Sequence, residues 1–223
     1  MDDELKNNVY GEIITISYIT FIILLSIPFY KINSEYSRKV IHIMLGNFYF
    51  IALYYFTKWY FASFFPFLFI FINYFSIKHN LIKYMQKMPN PKDKSVSYGT
   101  VYYAISLFIL TTFSWIKKNY SLGLCPFLAM AYGDGLACIF GGAFKSRYIN
   151  IYDSKKSIIG SSTMFIVCFL VFGSYLNYMN INCWMIKSFI LSSISTLLEA
   201  ISPCGIDNLT VPLGGLVLMN YLL

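Results

Sequence analysis

Residues 120–144 read YSLGLCPFLAMAYGDGLACIFGGAF, and Asp134 is the one charged side chain among them. A helix needs about 20 mainly apolar residues to cross the hydrocarbon core of a bilayer, and this run exceeds that. It has no period-two alternation, and the strands of closed β-barrels are far less hydrophobic, so the segment reads as a membrane helix. The whole chain has the same character. Of its 223 residues 57% are apolar, 20% aromatic and 12% charged, with a mean hydropathy of +0.59. A soluble domain carries roughly 25% charged residues, and disorder demands low hydrophobicity with high charge. Soluble, disordered, collagenous and coiled-coil classes are therefore excluded. Fifteen Lys against Arg38 and Arg147, with 21 Phe and 20 Tyr, indicate a codon bias, so single aromatics count for little.

Working outward, further apolar runs cover Ile13–Tyr30, Val40–Phe56, Trp59–Ile77, Val96–Ile116, Ile158–Tyr178 and Trp184–Ile201. Leu209–Leu223 is shorter and contains Pro212, Gly214 and Gly215, so it is either a thinned, tilted span or re-entrant. The expectation is an all-α polytopic membrane bundle of seven or eight helices, forming one domain over 1–223. The acidic start MDDELKNNVYGE resembles neither a signal peptide nor a transit peptide, so the first run is expected to be retained. Of the 17 basic residues, 12 fall in 31–39, 78–94 and 145–157, on one side of the membrane. The positive-inside rule makes that side cytoplasmic and the N-terminus lumenal or external. Within 78–94, Leu81, Tyr84, Met85 and Met88 share a face, as in a basic helix lying on the membrane; a solvated loop fits equally well. The five cysteines have no CxxC spacing and read as small buried side chains.

Ionisable groups inside spans are functional candidates by default. Asp134, Glu199 and the following Asp207, and His42 all fall in the cytoplasmic half of this topology. Around Asp134, small residues at i, i+4 (Ala131/Gly135, Ala137/Gly141) suit close helix packing; packing explains Gly133 and Gly135 but not an acid between them. Lys145 lies three turns on, about 16 Å away, and a break at Gly141-Gly142 would bring it closer. Lys155-Lys156-Ser157 precedes the sixth long run. Ser157 suits an N-cap beside two cations, which is either a phosphate site with Gly160 or a topogenic cluster with an ordinary cap. Arg38, Lys39, His42 and Gly46 share a helical face, with Arg38 the stronger phosphate candidate. Neither GxxxxGK[ST] nor GxGxxG occurs. Hard carboxylates ringed by basic loops suit a metal–polyphosphate complex. The residues alone thus indicate a membrane enzyme or transporter that handles a phosphorylated ligand.

Five segments in order resemble the CTP-dependent lipid-alcohol kinases, which include dolichol kinase, phytol kinase and the CTP-dependent diacylglycerol kinase and are related to the phosphatidate cytidylyltransferases. They are Arg38-Lys39-x-x-His42-x-x-x-Gly46, Ser97-Tyr98-Gly99-Thr100-Val101-Tyr102-Tyr103, Gly133-Asp134-Gly135-x-Ala137-x-x-x-Gly141, Lys156-Ser157-x-x-Gly160-Ser161 and Glu199-Ala200-x-Ser202-Pro203-x-Gly205-x-Asp207-Asn208-x-Thr210-x-Pro212. The motif-bearing region is 35–215. The resemblance implies transfer of the γ-phosphate of CTP to a membrane-embedded alcohol with Mg²⁺ or another divalent cation. It makes Asp134 and Asp207 candidates for metal ligand or base, and Glu199 for base or for holding a basic partner. Arg38, Lys39, His42, Gly133, Gly135, Lys145, Lys155, Lys156, Ser157, Gly160 and Asn208 become candidates for the nucleotide site. The alcohol's hydroxyl would meet the nucleotide at the cytoplasmic boundary while its chain remains in lipid.

A phosphatidate cytidylyltransferase is the nearest alternative, but the late His and Arg of that signature are missing after Asp207. A transporter of anionic lipid is the alternative from another class, and no inverted repeat is visible to support it. One span before the first motif resembles the short phytol and prenol kinases more than dolichol kinases, so phytol, farnesol or geranylgeraniol is favoured over dolichol or longer polyprenols. The expected partners are CTP, the lipid alcohol and membrane lipid, with no nucleic acid and oligomerisation left open. The expected location is the endoplasmic reticulum, with the site facing the cytoplasm.

Overall fold

The computed structural model describes residues 3–32, 34–79, 98–151 and 154–223. Their elements are α1 (Asp3–Ile32), α2 (Ser34–Gly46), α3 (Phe48–Tyr55), α4 (Trp59–His79), α5 (Gly99–Lys117), α6 (Ser121–Ala143), β1 (Tyr148–Ile151), β2 (Ser154–Ser157), α7 (Ile158–Tyr178), α8 (Trp184–Ile201) and α9 (Asp207–Leu222). The protein is an all-α membrane bundle. Six helices, α1 and α4–α8, are long and apolar enough to cross a bilayer. The predicted span Val40–Phe56 is instead split: α2 and α3 meet at Asn47, whose side-chain oxygen accepts a hydrogen bond from Tyr132 of α6. The last predicted span is α9, 16 residues and so about 24 Å long. Most of the amphipathic segment predicted over 78–94 lies outside the described residues.

Helix α6 is the hub. Its apolar span is 72% buried, against 17% for α1, and α2, α5, α7 and α9 all pack on it. Small residues make this possible, because in lipid helices associate through close backbone approach. At Gly123 a Cβ would meet Tyr49 and Ser114 side chains and sit 2.9 Å from the Leu110 carbonyl oxygen of α5. Gly123→Ala is therefore expected to cost about 1–3 kcal/mol by overpacking, seen as a lower thermal midpoint of the detergent-solubilised protein.

Two connections shape the site end. β1 and β2 form an antiparallel hairpin, with Tyr148 opposite Ser157 and Ile151 opposite Ser154. It feeds directly into α7, where the Ser157 hydroxyl accepts the Gly160 N–H at 3.0 Å as the N-cap. Between α8 and α9 the chain reverses through Cys204 (φ 52°) and Gly205 (φ 83°), and the Ser202 and Thr210 hydroxyls are hydrogen-bonded at 2.7 Å across the turn. Cys125 and Cys168 are buried as expected, whereas Cys183 and Cys204 are exposed. Both exposed cysteines have left-handed backbone conformations, Cys183 as the residue before α8 and Cys204 in the turn between α8 and α9.

Candidate active site

Helix α2 enters beside α6, and Gly135 is what lets it do so: a Cβ there would run into Ile43. The close approach carries two residues of one α2 face onto Asp134. Lys39 Nζ lies 2.5 Å from Asp134 Oδ2, and His42 Nε2 lies 3.3 Å from the same oxygen. Lys39 is 4% exposed and Asp134 7%. On the other side of α6, Gly133 lets α7 approach, since a Cβ would sit 2.5 Å from Met164 Sδ. The glycines flanking the acid thus set helix spacing around it, which accounts for both of them.

A second buried pair lies alongside. Lys156 on β2 donates a hydrogen bond to Glu199 on α8. Burial disfavours the charged ammonium, but the Glu199 carboxylate and its hydrogen bond outweigh that, with Asp207 and Asp134 adding to the effect; the Lys156 pKa is raised. The α8–α9 turn then delivers Asp207, which accepts the Asn208 N–H at 2.9 Å. Carboxylate oxygens of Asp134, Glu199 and Asp207 all lie within 4.8 Å of one another. Like charges this close are relieved by a cation or by a shared proton. Three hard oxygen donors with two lysines at the edge form a donor set that fits Mg²⁺.

Beside the acids is a half-open pocket, about 400 Å³ with the solvent at its mouth included, lined by Arg38, His42, Asn73, Thr100, Tyr103 and Asn208, among others. The Tyr103 hydroxyl donates to the His42 carbonyl at 2.9 Å, and Asn73 Nδ2 to the Thr100 carbonyl at 3.0 Å. Sequence reasoning missed Asn73 and Tyr103 as site residues. The available signal was a carboxamide inside the aromatic run of α4.

Of the predicted residues, the structure brings together Lys39, His42, Asp134, Lys156, Glu199 and Asp207. Arg38 and Asn208 line the adjoining cavity. Ser157 is engaged as the cap. Gly160 is a packing contact, since a Cβ there would lie 3.1 Å from the Ala137 carbonyl oxygen. Lys145 is not brought in: α6 continues unbroken through Gly141-Gly142 to Ala143, and Lys145 is left exposed beyond its end. Lys155 lies on β2, its side chain outside the described residues.

The chain is 37% identical over 126 residues to the phytol kinase of Synechocystis sp., a match covering 53% of this chain and 52% of that protein. It is 30% identical over 209 residues to phytol kinase 1, chloroplastic, of Arabidopsis thaliana, covering 86% of this chain and 67% of that protein. The chain belongs to the phytol kinase family. A probable phytol kinase, chloroplastic, of Triticum aestivum is 28% identical over 202 residues, with 65% of that protein covered. The match thus spans about half the length of the cyanobacterial relative and about two thirds of the plant ones. No family model and no solved structure matches the chain.

Proposed function

We propose that the protein phosphorylates the hydroxyl of a membrane-embedded isoprenoid alcohol, with CTP as donor and a divalent cation at the acidic cluster. The observation that carries this reading is the convergence of Asp134, Glu199 and Asp207 within 4.8 Å, edged by Lys39 and Lys156. Family relatives named phytol kinase support the isoprenoid acceptor; CTP rests on the motif resemblance. Asp134, Asp207 and Glu199 are the residues that would hold the cation, which when bound supplies neutralisation of phosphate charge. Lys39 and Lys156, drawn off their carboxylates, bind phosphate oxygens as point charges. The alcohol oxygen attacks the γ-phosphorus, the bond to the β-phosphate oxygen breaks, CDP leaves, and a carboxylate of the cluster takes the hydroxyl proton. Burial of the cluster excludes water, which favours the alcohol over hydrolysis.

All of 1–223 serves as the kinase domain in this reading. The plant relatives are named chloroplastic, which lends no support to the endoplasmic reticulum; the charge distribution supports a site facing the side of the basic loops. The test is purified protein with Mg²⁺, γ-labelled CTP and a panel of prenols, phytol and diacylglycerol, with ATP as the donor control. Label on the prenol or phytol, abolished by chelation, is the expected result. Transfer of the cytidylyl group, or label on diacylglycerol alone, overturns the reading.

A further inference from the structure

A second half-open pocket, about 400 Å³ with the open space at its mouth included, adjoins the polar one. Its walls are apolar: Ile19 of α1, Phe48 of α3, Phe65 and Phe69 of α4, Ala104 and Leu107 of α5. The two cavities share Leu45, Asn73 and Tyr103 as lining. At the polar end, Asn73 Oδ1 and Asn208 Oδ1 are buried with no hydrogen-bond partner among the described residues, and His42 Nε2 faces Asp134 Oδ2 at 3.3 Å without forming a hydrogen bond. Their residues are only 5%, 3% and 8% exposed. The orientation of each carboxamide is fixed by its neighbours. Asn73 Nδ2 faces the Thr100 carbonyl, while Asn208 Nδ2 faces the Gly205 carbonyl and the Asp207 carboxylate, all of them acceptors. What remains at each is an oxygen that needs a donor, and a buried acceptor left unmet costs about 1–3 kcal/mol.

A hydroxyl group has one O–H to give, enough for one of these oxygens, and an apolar chain answers the adjoining cavity. Leu107 lies one turn along α5 from Tyr103 and about 12 Å from Gly99 at the helix start, so the apolar cavity runs towards the middle of the membrane. Helix α1 packs chiefly on α2 and α3, and α4 on α5, leaving the seam between α1 and α4 as the entry from lipid.

We propose that this cleft holds the first isoprene units of the alcohol inside the bundle, with the hydroxyl at Asn73 and Asn208 beside His42. This rests on the acceptor class proposed above and replaces the expectation that the chain stays in bulk lipid. The cleft is small for a whole lipid but suits the hydroxyl-bearing end.

The decisive experiment is photo-crosslinking of wild-type protein in nanodiscs with a prenol carrying a diazirine near its hydroxyl. It is paired with kinetics of Ala104→Trp, which fills the cleft. Cross-links at Phe69, Ala104 or Leu107 that unlabelled geranylgeraniol competes away are expected. Ala104→Trp should lower kcat/KM for geranylgeraniol roughly tenfold or more, and for the single-unit dimethylallyl alcohol by less, without changing the KM for CTP. Cross-links confined to lipid-facing Phe64, Phe71 or Phe75, or equal loss with both alcohols, overturn the cleft. Cross-linking uses the wild type, so it decides even where the variant does not fold. Competed cross-links in the cleft with no alcohol phosphorylated would support the cleft and defeat the kinase reading. Phosphorylation with cross-links only outside would do the reverse.

Discussion

Asp134→Asn is expected to lower phosphate transfer to the alcohol by at least about 10³-fold, or about 4 kcal/mol of transition-state stabilisation. Asp134 is the acid common to both halves of the site: it touches Lys39 and His42 on one side and belongs to the carboxylate trio on the other. The amide keeps the shape but loses the charge that holds a cation. It also strands Lys39, 4% exposed, without its counter-charge, and breaking a buried pair by removing one partner can cost about 3–5 kcal/mol of stability. The two losses separate in the double variant Asp134→Asn/Lys39→Met. It should regain most of the thermal midpoint lost by the single variant while staying inactive. Residual activity within about tenfold of wild type would remove Asp134 from the mechanism.

The second large effect belongs to Lys156. Its removal as Lys156→Ala takes away the cation proposed to bind phosphate and leaves Glu199, 5% exposed, without this partner. A loss of about 10²–10³-fold in kcat/KM is expected. Because the two side chains act as a unit, adding Glu199→Gln to Lys156→Ala should cost little more, giving a large coupling term in a double-mutant cycle. Additive effects would mean that Glu199 works independently of Lys156.

The apolar runs were readable because crossing a bilayer is a property of about 20 consecutive residues and needs no tertiary knowledge. The acids were readable for the converse reason, since a carboxylate in lipid must have a partner. Which partner was not readable: Lys39 and Asp134 are 95 residues apart and Lys156 and Glu199 are 43 apart. The break falls at Gly46-Asn47, residue types that end helices, but the Tyr132 hydroxyl that bonds Asn47 comes from another helix and is not visible in the local pattern. The hairpin over 148–157 consists of strands four residues long, which carry too little periodicity to stand out. Lys145 hinged on whether two glycines end a helix, and packing of α6 against α7 at Gly141 and Gly160 keeps that helix straight through them. Asn73 escaped notice because its value lies in an unmet oxygen facing a cavity, which exists only once four helices have closed around it.

In both buried pairs the lysine precedes the carboxylate along the chain: Lys39 before Asp134, Lys156 before Glu199. A ribosome therefore delivers each cation to the membrane first. When α6 leaves the translocon its acid meets an ammonium already waiting on α2, and α8 finds one on the hairpin. Synthesis from the N-terminus therefore makes the counter-charge of each pair before its carboxylate.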